Sequence, residues 1–128
     1  MRNSPEYIIY KQLATYLRLQ YPNVLFHFDL TGVNMSKAAA GKNKAIQHSR
    51  GWPDLFIAKP IGRYHGLFLE IKPEGTRLLN KNNQIATNHI KEQWAMLQRL
   101  EGLQYLARFA VGFDEAKSII DEYMLDNL

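Results

Sequence analysis

The sequence predicts an α/β domain in which a central mixed sheet of about four strands is flanked by helices. Two observations carry this prediction. Apolar residues recur at helical spacing near both ends of the chain and in residues 89–101, and four short runs rich in β-branched and aromatic residues lie between these segments. The chain has 128 residues, 46% of them hydrophobic, so we expect a single domain over residues 1–128 that closes its own core.

The N-terminal part begins with a helix. Ser4 is a typical N-cap, Pro5 suits the first helical position, and the apolar spacing continues to about Gln20. Residues 24–30 predict a strand. Residues 31–50 contain four Lys and Arg, no acid, and many small residues, which indicates a weak helix or a long, basic, flexible insert.

Two central strands and a final helix–strand–helix order complete the domain. The strands are joined by a turn near Gly62, and a polar loop then leads to a helix that we expect Gly102 to end. The last helix is predicted to be capped by Asp114. In order, the predicted elements are strands 54–58 and 66–71, loop 73–88, helix 89–101, strand 105–111 and the helix from residue 114 onward.

The charge distribution indicates a polyanionic partner. The formal net charge is +4, but residues 1–113 hold fifteen Lys and Arg against seven Asp and Glu, a net +8, whereas residues 114–128 carry a net −4. A basic body suits nucleic acid, although a solvated basic surface explains the same count. The absence of cysteine excludes disulfides and thiolate chemistry. Without a long apolar run or a signal-peptide core, we expect a cytoplasmic protein with no membrane partner.

The central strands, taken as a hairpin centred near Gly62, bring three chemical groups together. In that register the numbers of paired residues sum to 124, so Asp54 lies opposite Glu70. Directly opposed residues of an antiparallel pair point to the same face. Strand alternation also puts Lys72 on the face of Glu70 and turns Ile71 to the opposite, apolar face.

The closeness of the Asp54 and Glu70 carboxylates predicts a cation bound between them. Their mutual repulsion raises one pKa unless a positive charge lies between them. Oxygen ligands, without cysteine or clustered histidine, favour Mg²⁺ or Mn²⁺ over zinc, and metal, carboxylates and lysine together can hydrolyse a phosphodiester. The structural alternative is an ordinary Asp54 and Glu70 salt-bridged to Lys72. The segment Gly51–Asp54 favours catalysis, because its proline holds the chain extended before the aspartate.

In this order the motifs resemble the PD-(D/E)xK nuclease superfamily, and within it the virus-type replication-repair nuclease (VRR-NUC) family. The resemblance covers most of the chain and rests on Glu6 in the first helix, the Gly-x-Pro-Asp-Leu segment, the Phe-Leu-Glu-Ile-Lys strand, Gln93, the glycine after its helix, and the closing Asp-Glu-Ala-Lys helix. It implies a restriction-endonuclease-like three-layer core that cuts nucleic acid with Mg²⁺ or Mn²⁺. No organic cofactor is implied.

The resemblance also implies a role for each residue of the central strands. Asp54 and Glu70 would be metal ligands, with the backbone carbonyl of Ile71 as a further ligand. Lys72 would orient or activate the attacking water and stabilise the transition state.

Two helical residues complete the implied catalytic set. Gln93 would fix the lysine or the scissile phosphate, and Glu6 would lie near the metal, with a water molecule as intermediary. Gln84 is a rival to Gln93, because the stretch between the lysine and Gln93 is longer than the usual loop of the family. A structural role for Glu6, complementing its helix dipole, explains that residue equally well.

The substrate implied is DNA. Beside a nuclease core, the basic stretch favours contact with the phosphate backbone through Lys37, Lys42, Lys44 and Arg50. The chain shows no sequence-reading module, so we expect selectivity for branched DNA, such as a four-way (Holliday) junction, in replication, repair or recombination. A junction has two strands to cut, which suits a homodimer.

Two other functions remain open at this level. One is a nucleic-acid-binding module that keeps the fold without activity, and the other is a nuclease subunit of a larger recombination complex that docks through its acidic C-terminal helix. The resemblance makes a phage or prophage origin plausible, and hence a bacterial or phage-infected host cell.

Overall fold

The computed structural model describes residues 4–30 and 35–127, which form four helices and four strands. In chain order these are α1 (Pro5–Gln20), β1 (Phe26–Phe28), α2 (Lys37–Ala45), β2 (Leu55–Ile57), β3 (Leu67–Lys72), α3 (Asn88–Gly102), β4 (Leu106–Val111) and α4 (Phe113–Met124). The strands make one sheet in the order β1-β2-β3-β4, antiparallel except for the parallel pair β3–β4. The predicted α/β class with a mixed four-stranded sheet is therefore confirmed. None of the described helices is long and apolar enough to cross a membrane.

Helices cover both faces of the sheet. On one face α1 and α4 enclose the larger core, in which Leu13, Leu69 and Ile120 are fully buried. On the other face α3 packs through Met96 and Leu97 onto β4. Burial of one such side chain contributes about 1.5–3 kcal/mol. These two cores give the three-layer arrangement of a restriction-endonuclease-like fold and hold the strand ends in place.

The β2–β3 register is the one predicted from the turn. Leu55 pairs with Leu69 and Ile57 with Leu67, so paired numbers sum to 124. Leu67, Leu69 and Ile71 share the core beneath α1 and α4, and the alternate residues of β3 point the other way. This confirms the register on which the predicted acidic site depends.

One predicted helix end is correct and one predicted helix start is wrong. Gly102 ends α3 as predicted, although the reversal of the chain is made by Gln104, which has a left-handed φ of 69°. Helix α4 begins at Phe113 and not after Asp114, because Gly112 turns the chain directly out of β4 with a φ of 84°. No side-chain cap is needed there, and Asp114 instead lies in the first turn, where an acid complements the helix dipole.

Part of the basic segment is helical, which is one of the two forms that the sequence left open. Residues 37–45 form α2, whose N-cap Ser36 accepts a hydrogen bond from the amide of Ala39 at 3.1 Å. In the described chain α2 has no buried side chain, so apolar burial does not explain its presence. Residues 31–34 of the predicted insert lie outside the described residues. In the polar loop, Leu79 and Ile85 form an isolated bridge.

Candidate active site

The predicted acid pair meets at one end of the sheet. Asp54 directly precedes β2 and Glu70 lies in β3, with side chains that are only 5% and 3% exposed. Asp54 Oδ2 accepts a hydrogen bond of 2.7 Å from the amide of Ile71, which aims the aspartate at β3. Lys72 ends the same strand and is half-buried. The structure therefore brings Asp54, Glu70 and Lys72 together as the register predicts.

Glu70 is held in an unfavourable electrostatic position. Burial, and then the hydrogen-bonding contact and negative charge of Asp54, raise the pKa of Glu70 well above its ordinary value, while the charge of Lys72 opposes this. Among the described residues, Oε1 of Glu70 is buried without a hydrogen-bond partner. Buried acceptors are nearly always paired in folded proteins. An unpaired carboxylate oxygen beside a second carboxyl group is therefore suited to a cation.

Asp29 belongs to the same acidic row and was missed from the sequence. Its amide donates to the backbone carbonyl of Asp54 at 2.7 Å, which extends the β1–β2 pairing by one residue beyond Phe28–Leu55. Asp29, Asp54 and Glu70 thus lie side by side on three neighbouring strands, and the charge of Asp29 adds to the raised pKa of Glu70. Pairing the predicted strand 24–30 with strand 54–58 would have revealed it.

Helix α1 contributes Glu6 and Tyr10 to this end of the sheet. Tyr10 is almost fully buried, and burial followed by the neighbouring Asp54, Glu70 and Glu6 charges raises the pKa of its phenol. Its hydroxyl lies beside Asp54 without a well-formed hydrogen bond among the described residues. Glu6 is half-buried in the first turn, and its negative charge acts on the phenol of Tyr10.

A close backbone approach fixes the start of α3 beside the Gly51–Asp54 segment. Gly51 has a φ of 84°, and a Cβ there would lie 3.2 Å from the carbonyl oxygen of Glu92 and 3.5 Å from Cα of Gln93. Glycine alone adopts this conformation without strain. The contact places Gln93 directly behind the segment that carries Asp54.

Of the two candidate glutamines, only Gln93 is buried. It is 7% exposed, and its Oε1 has no partner among the described residues. Gln84 is exposed in the turn between Leu79 and Ile85. Trp94 is 46% exposed, because the inner side of α3 is occupied by Gln93.

The basic residues divide into two groups. Lys44 and Arg50 line a groove of about 670 Å³ that also contacts Asp29 and Trp52, next to the acid pair. Lys37 and Lys42 are exposed on α2 outside that lining. The groove therefore joins part of the basic segment to the acidic end of the sheet.

The residues able to hold a metal are few. Within residues 4–30 and 35–127, no three Asp, Glu or His side chains come close enough to bind a cation by themselves. Asp54 and Glu70 provide two adjacent carboxylates, one with an unpaired oxygen, and the carbonyl of Ile71 is the further oxygen that the resemblance suggests. An all-oxygen set fits a hard divalent ion completed by water.

A three-layer α/β core with a buried acid pair and a lysine at one sheet end defines a domain of the restriction-endonuclease-like class. A solved structure named VRR_NUC domain protein matches with a TM-score of 0.65 and 27% sequence identity, covering 97% of this chain and 91% of that one. The likeness supports the resemblance to the VRR-NUC family seen in the motifs, and with it a nuclease-type domain in this chain. No protein-family model and no curated protein matches.

Proposed function

We propose that this protein is a metal-dependent DNA endonuclease that selects branched DNA in replication, repair or recombination. The observation that supports this best is the pair of buried carboxyl groups, Asp54 and Glu70, held against each other beside Lys72. A purely structural salt bridge would need one carboxylate for one lysine. A second buried acid raises the free energy of the folded chain unless a cation or a hydrogen-bond donor compensates it, and such strained acids are typical of functional sites.

Each residue has a task in this proposal. Asp54 and Glu70, with the carbonyl of Ile71, would hold Mg²⁺ or Mn²⁺. When bound, the ion supplies Lewis-acid polarisation of the phosphate and lowers the pKa of water. The ammonium group of Lys72 offsets the negative charge that develops on the phosphate and orients the attacking water.

The remaining predicted residues support these groups. The buried amide of Gln93 orients Lys72 or the scissile phosphate, and Glu6 acts from α1 through water. The exposed cations Lys37, Lys42, Lys44 and Arg50 bind the phosphate backbone outside the cutting site.

Two copies would act together on a junction. A four-way junction presents two equivalent strands, and a twofold dimer offers one site to each. We place this activity in the cytoplasm of a bacterial or phage-infected cell.

The test uses the purified chain with end-labelled duplex, flap and four-way-junction DNA of matched sequence. Each is incubated with Mg²⁺, Mn²⁺ or EDTA. We expect metal-dependent cutting of flap or junction in preference to duplex, and a dimer by sedimentation with junction DNA. Cutting that persists in EDTA would overturn the metal requirement. Metal-independent binding with no cutting of any substrate would leave a binding module instead of an enzyme.

A further inference from the structure

Two cavities meet at Trp52, beside the acid pair. The larger groove, of about 670 Å³, runs between α2 and the start of α3, and the smaller one, of about 310 Å³, lies over the sheet next to Asp54. Trp52, Asp29 and Gln47 line both. Both volumes fall in the range of about 300–1,000 Å³ that small-molecule sites occupy. Trp52 therefore stands between the site of cutting and a connected space that the catalytic residues leave unused.

The smaller cavity has an aromatic floor. Phe56 and Phe68 stack across β2 and β3 with ring centroids 4.5 Å apart, and Trp52 lies 6.2 Å from Phe68. All three rings are half-buried, and Trp52 and Phe68 also pack against the core beneath α3. Such rings beside a nuclease site offer flat faces on which a base can stack.

The larger groove adds polar and charged groups. Lys44 and Arg50 supply positive charge, Asp29 and Glu92 also line the groove, and Gln47 and His48 supply side chains that can form hydrogen bonds. The indole Nε1 of Trp52 is buried and has no partner among the described side chains. A ring with apolar neighbours on one side and cations on the other matches a nucleotide, which has an aromatic base and an anionic phosphate.

The geometry points to a binding site for one unpaired nucleotide of the substrate strand, with its base against Trp52 and its phosphate toward Lys44 and Arg50. A paired base keeps its faces stacked inside the duplex, so only an unpaired base presents one to a side chain. This inference rests on the proposed function and sharpens it. Selectivity for branched DNA that carries unpaired nucleotides, such as a flap, would come from capture of one of them beside the scissile phosphate.

The test measures binding, in EDTA so that nothing is cut. Trp52→Leu removes the ring but keeps an apolar side chain, and Trp94→Leu is the matched control on the exposed side of α3. We expect Trp52→Leu to weaken binding of flap DNA by about 10- to 100-fold, the range of base–aromatic stacking. Affinity for the fully paired duplex should not change, and Trp94→Leu should alter neither.

A second measurement does not need the leucine variant to fold. In Trp94→Phe protein Trp52 is the one tryptophan left, so excitation where tyrosine does not absorb reports on it alone, and single-stranded DNA of about six nucleotides should quench it in a saturable way. No quenching, or an equal loss of flap and duplex binding in Trp52→Leu, would overturn the inference. Cutting that is metal-dependent while Trp52→Leu binds flap DNA normally rejects the inference alone. Flap capture through Trp52 without cutting of any substrate rejects the proposed function alone.

Discussion

Two acidic clusters of this molecule are built in opposite ways. On α4, Asp121 accepts hydrogen bonds from the hydroxyls of Tyr16 and Tyr21, at 2.5 and 2.7 Å, and pairs with Lys117 at 3.0 Å. Burial alone would raise the pKa of Asp121, but hydrogen bonds from these three side chains lower it. At the sheet end, Glu70 sits beside Asp54 with an unpaired oxygen among the described residues and a raised pKa.

The comparison shows that Asp121 stabilises the fold, whereas Asp54 and Glu70 are buried at a cost to its stability. Asp121 ties α1 to α4, and each of its oxygens has a donor. Asp54 and Glu70 are more deeply buried and less well satisfied, a combination typical of functional sites. A carboxylate surrounded by hydrogen-bond donors thus stabilises the fold, whereas one that lacks them is suited to a functional site.

The largest expected effect is on catalysis. Asp54→Asn and Lys72→Ala should each lower the rate of DNA cutting with Mg²⁺ at least about 100-fold, the scale for losing one group that stabilises the transition state. Asp121→Asn should keep its rate at temperatures where it is folded, although it also removes an acid. Single-turnover rates on the preferred substrate make the measurement, and an active Asp54→Asn protein would erase the distinction between the two clusters.

A second prediction concerns the cations beside the acid pair. Lys44→Gln with Arg50→Gln should reduce the slope of log affinity against log salt by about 1.8, since each phosphate contact contributes about 0.9. The matched control is Lys59→Gln with Arg63→Gln, which removes two exposed cations from the turn at the opposite end of β2 and β3. DNA anisotropy titrations at several salt concentrations decide it. Equal slopes in both double variants would mean that charge acts without regard to position.

The third prediction addresses the satisfied cluster. Asp121→Asn should lower the free energy of unfolding by about 1–2 kcal/mol at neutral pH, because hydrogen bonds to a charged acceptor are lost at a site that is 26% exposed. The folded pKa of Asp121 is depressed, so its contribution is present above the ordinary value of 3.8 and is lost as pH falls through the folded pKa. Urea unfolding from pH 7 to 3 measures this, with the exposed Glu122→Gln as control. A difference from the wild type that stays constant with pH would contradict it.

The smallest effect should have the opposite sign. Glu70→Gln should raise the free energy of unfolding by about 1 kcal/mol, a few degrees in Tm, because an amide can donate to Asp54 at any pH, whereas Glu70 can donate only while it holds a proton. The folded pKa of Glu70 is raised, so the wild type should lose stability as pH rises above the ordinary value of 4.5, whereas the variant should not. Thermal unfolding in EDTA from pH 5 to 8 provides the readout. A lower Tm in the variant would show that Glu70 stabilises the fold.

The sequence predicted the site best where turn residues and strand alternation indicate the same strand pairing. The turn near Gly62 and alternating Leu67, Leu69 and Ile71 suffice to predict which side chains meet across β2 and β3. Asp29 was not predicted as a site residue, because β1 carries no sequence motif. The position of Asp29 beside Asp54 follows only from the pairing of β1 with β2. Tyr10 was not predicted as a site residue, because an apolar helix stripe predicts that its ring is buried but not that the ring lies beside Asp54 and Glu70.

The position of the chain reversal after α3 and the exposure of Trp94 could not be predicted from the sequence, for a different reason. Gln104 takes a left-handed conformation that propensity assigns to the nearby glycine, and Trp94 is exposed because its neighbour Gln93 takes the inner position. Both outcomes depend on how α3 packs on the sheet, which periodicity alone does not specify.

Helix α2 carries no buried side chain within the described chain, and this has a consequence for how the protein can change. Most substitutions on its surface would leave the cores beneath α1, α3 and α4 untouched. Selection can therefore act on its residues for substrate choice with little penalty in folding. Among relatives we expect this helix to drift fastest, and in the laboratory it is the segment to randomise when a different DNA preference is wanted.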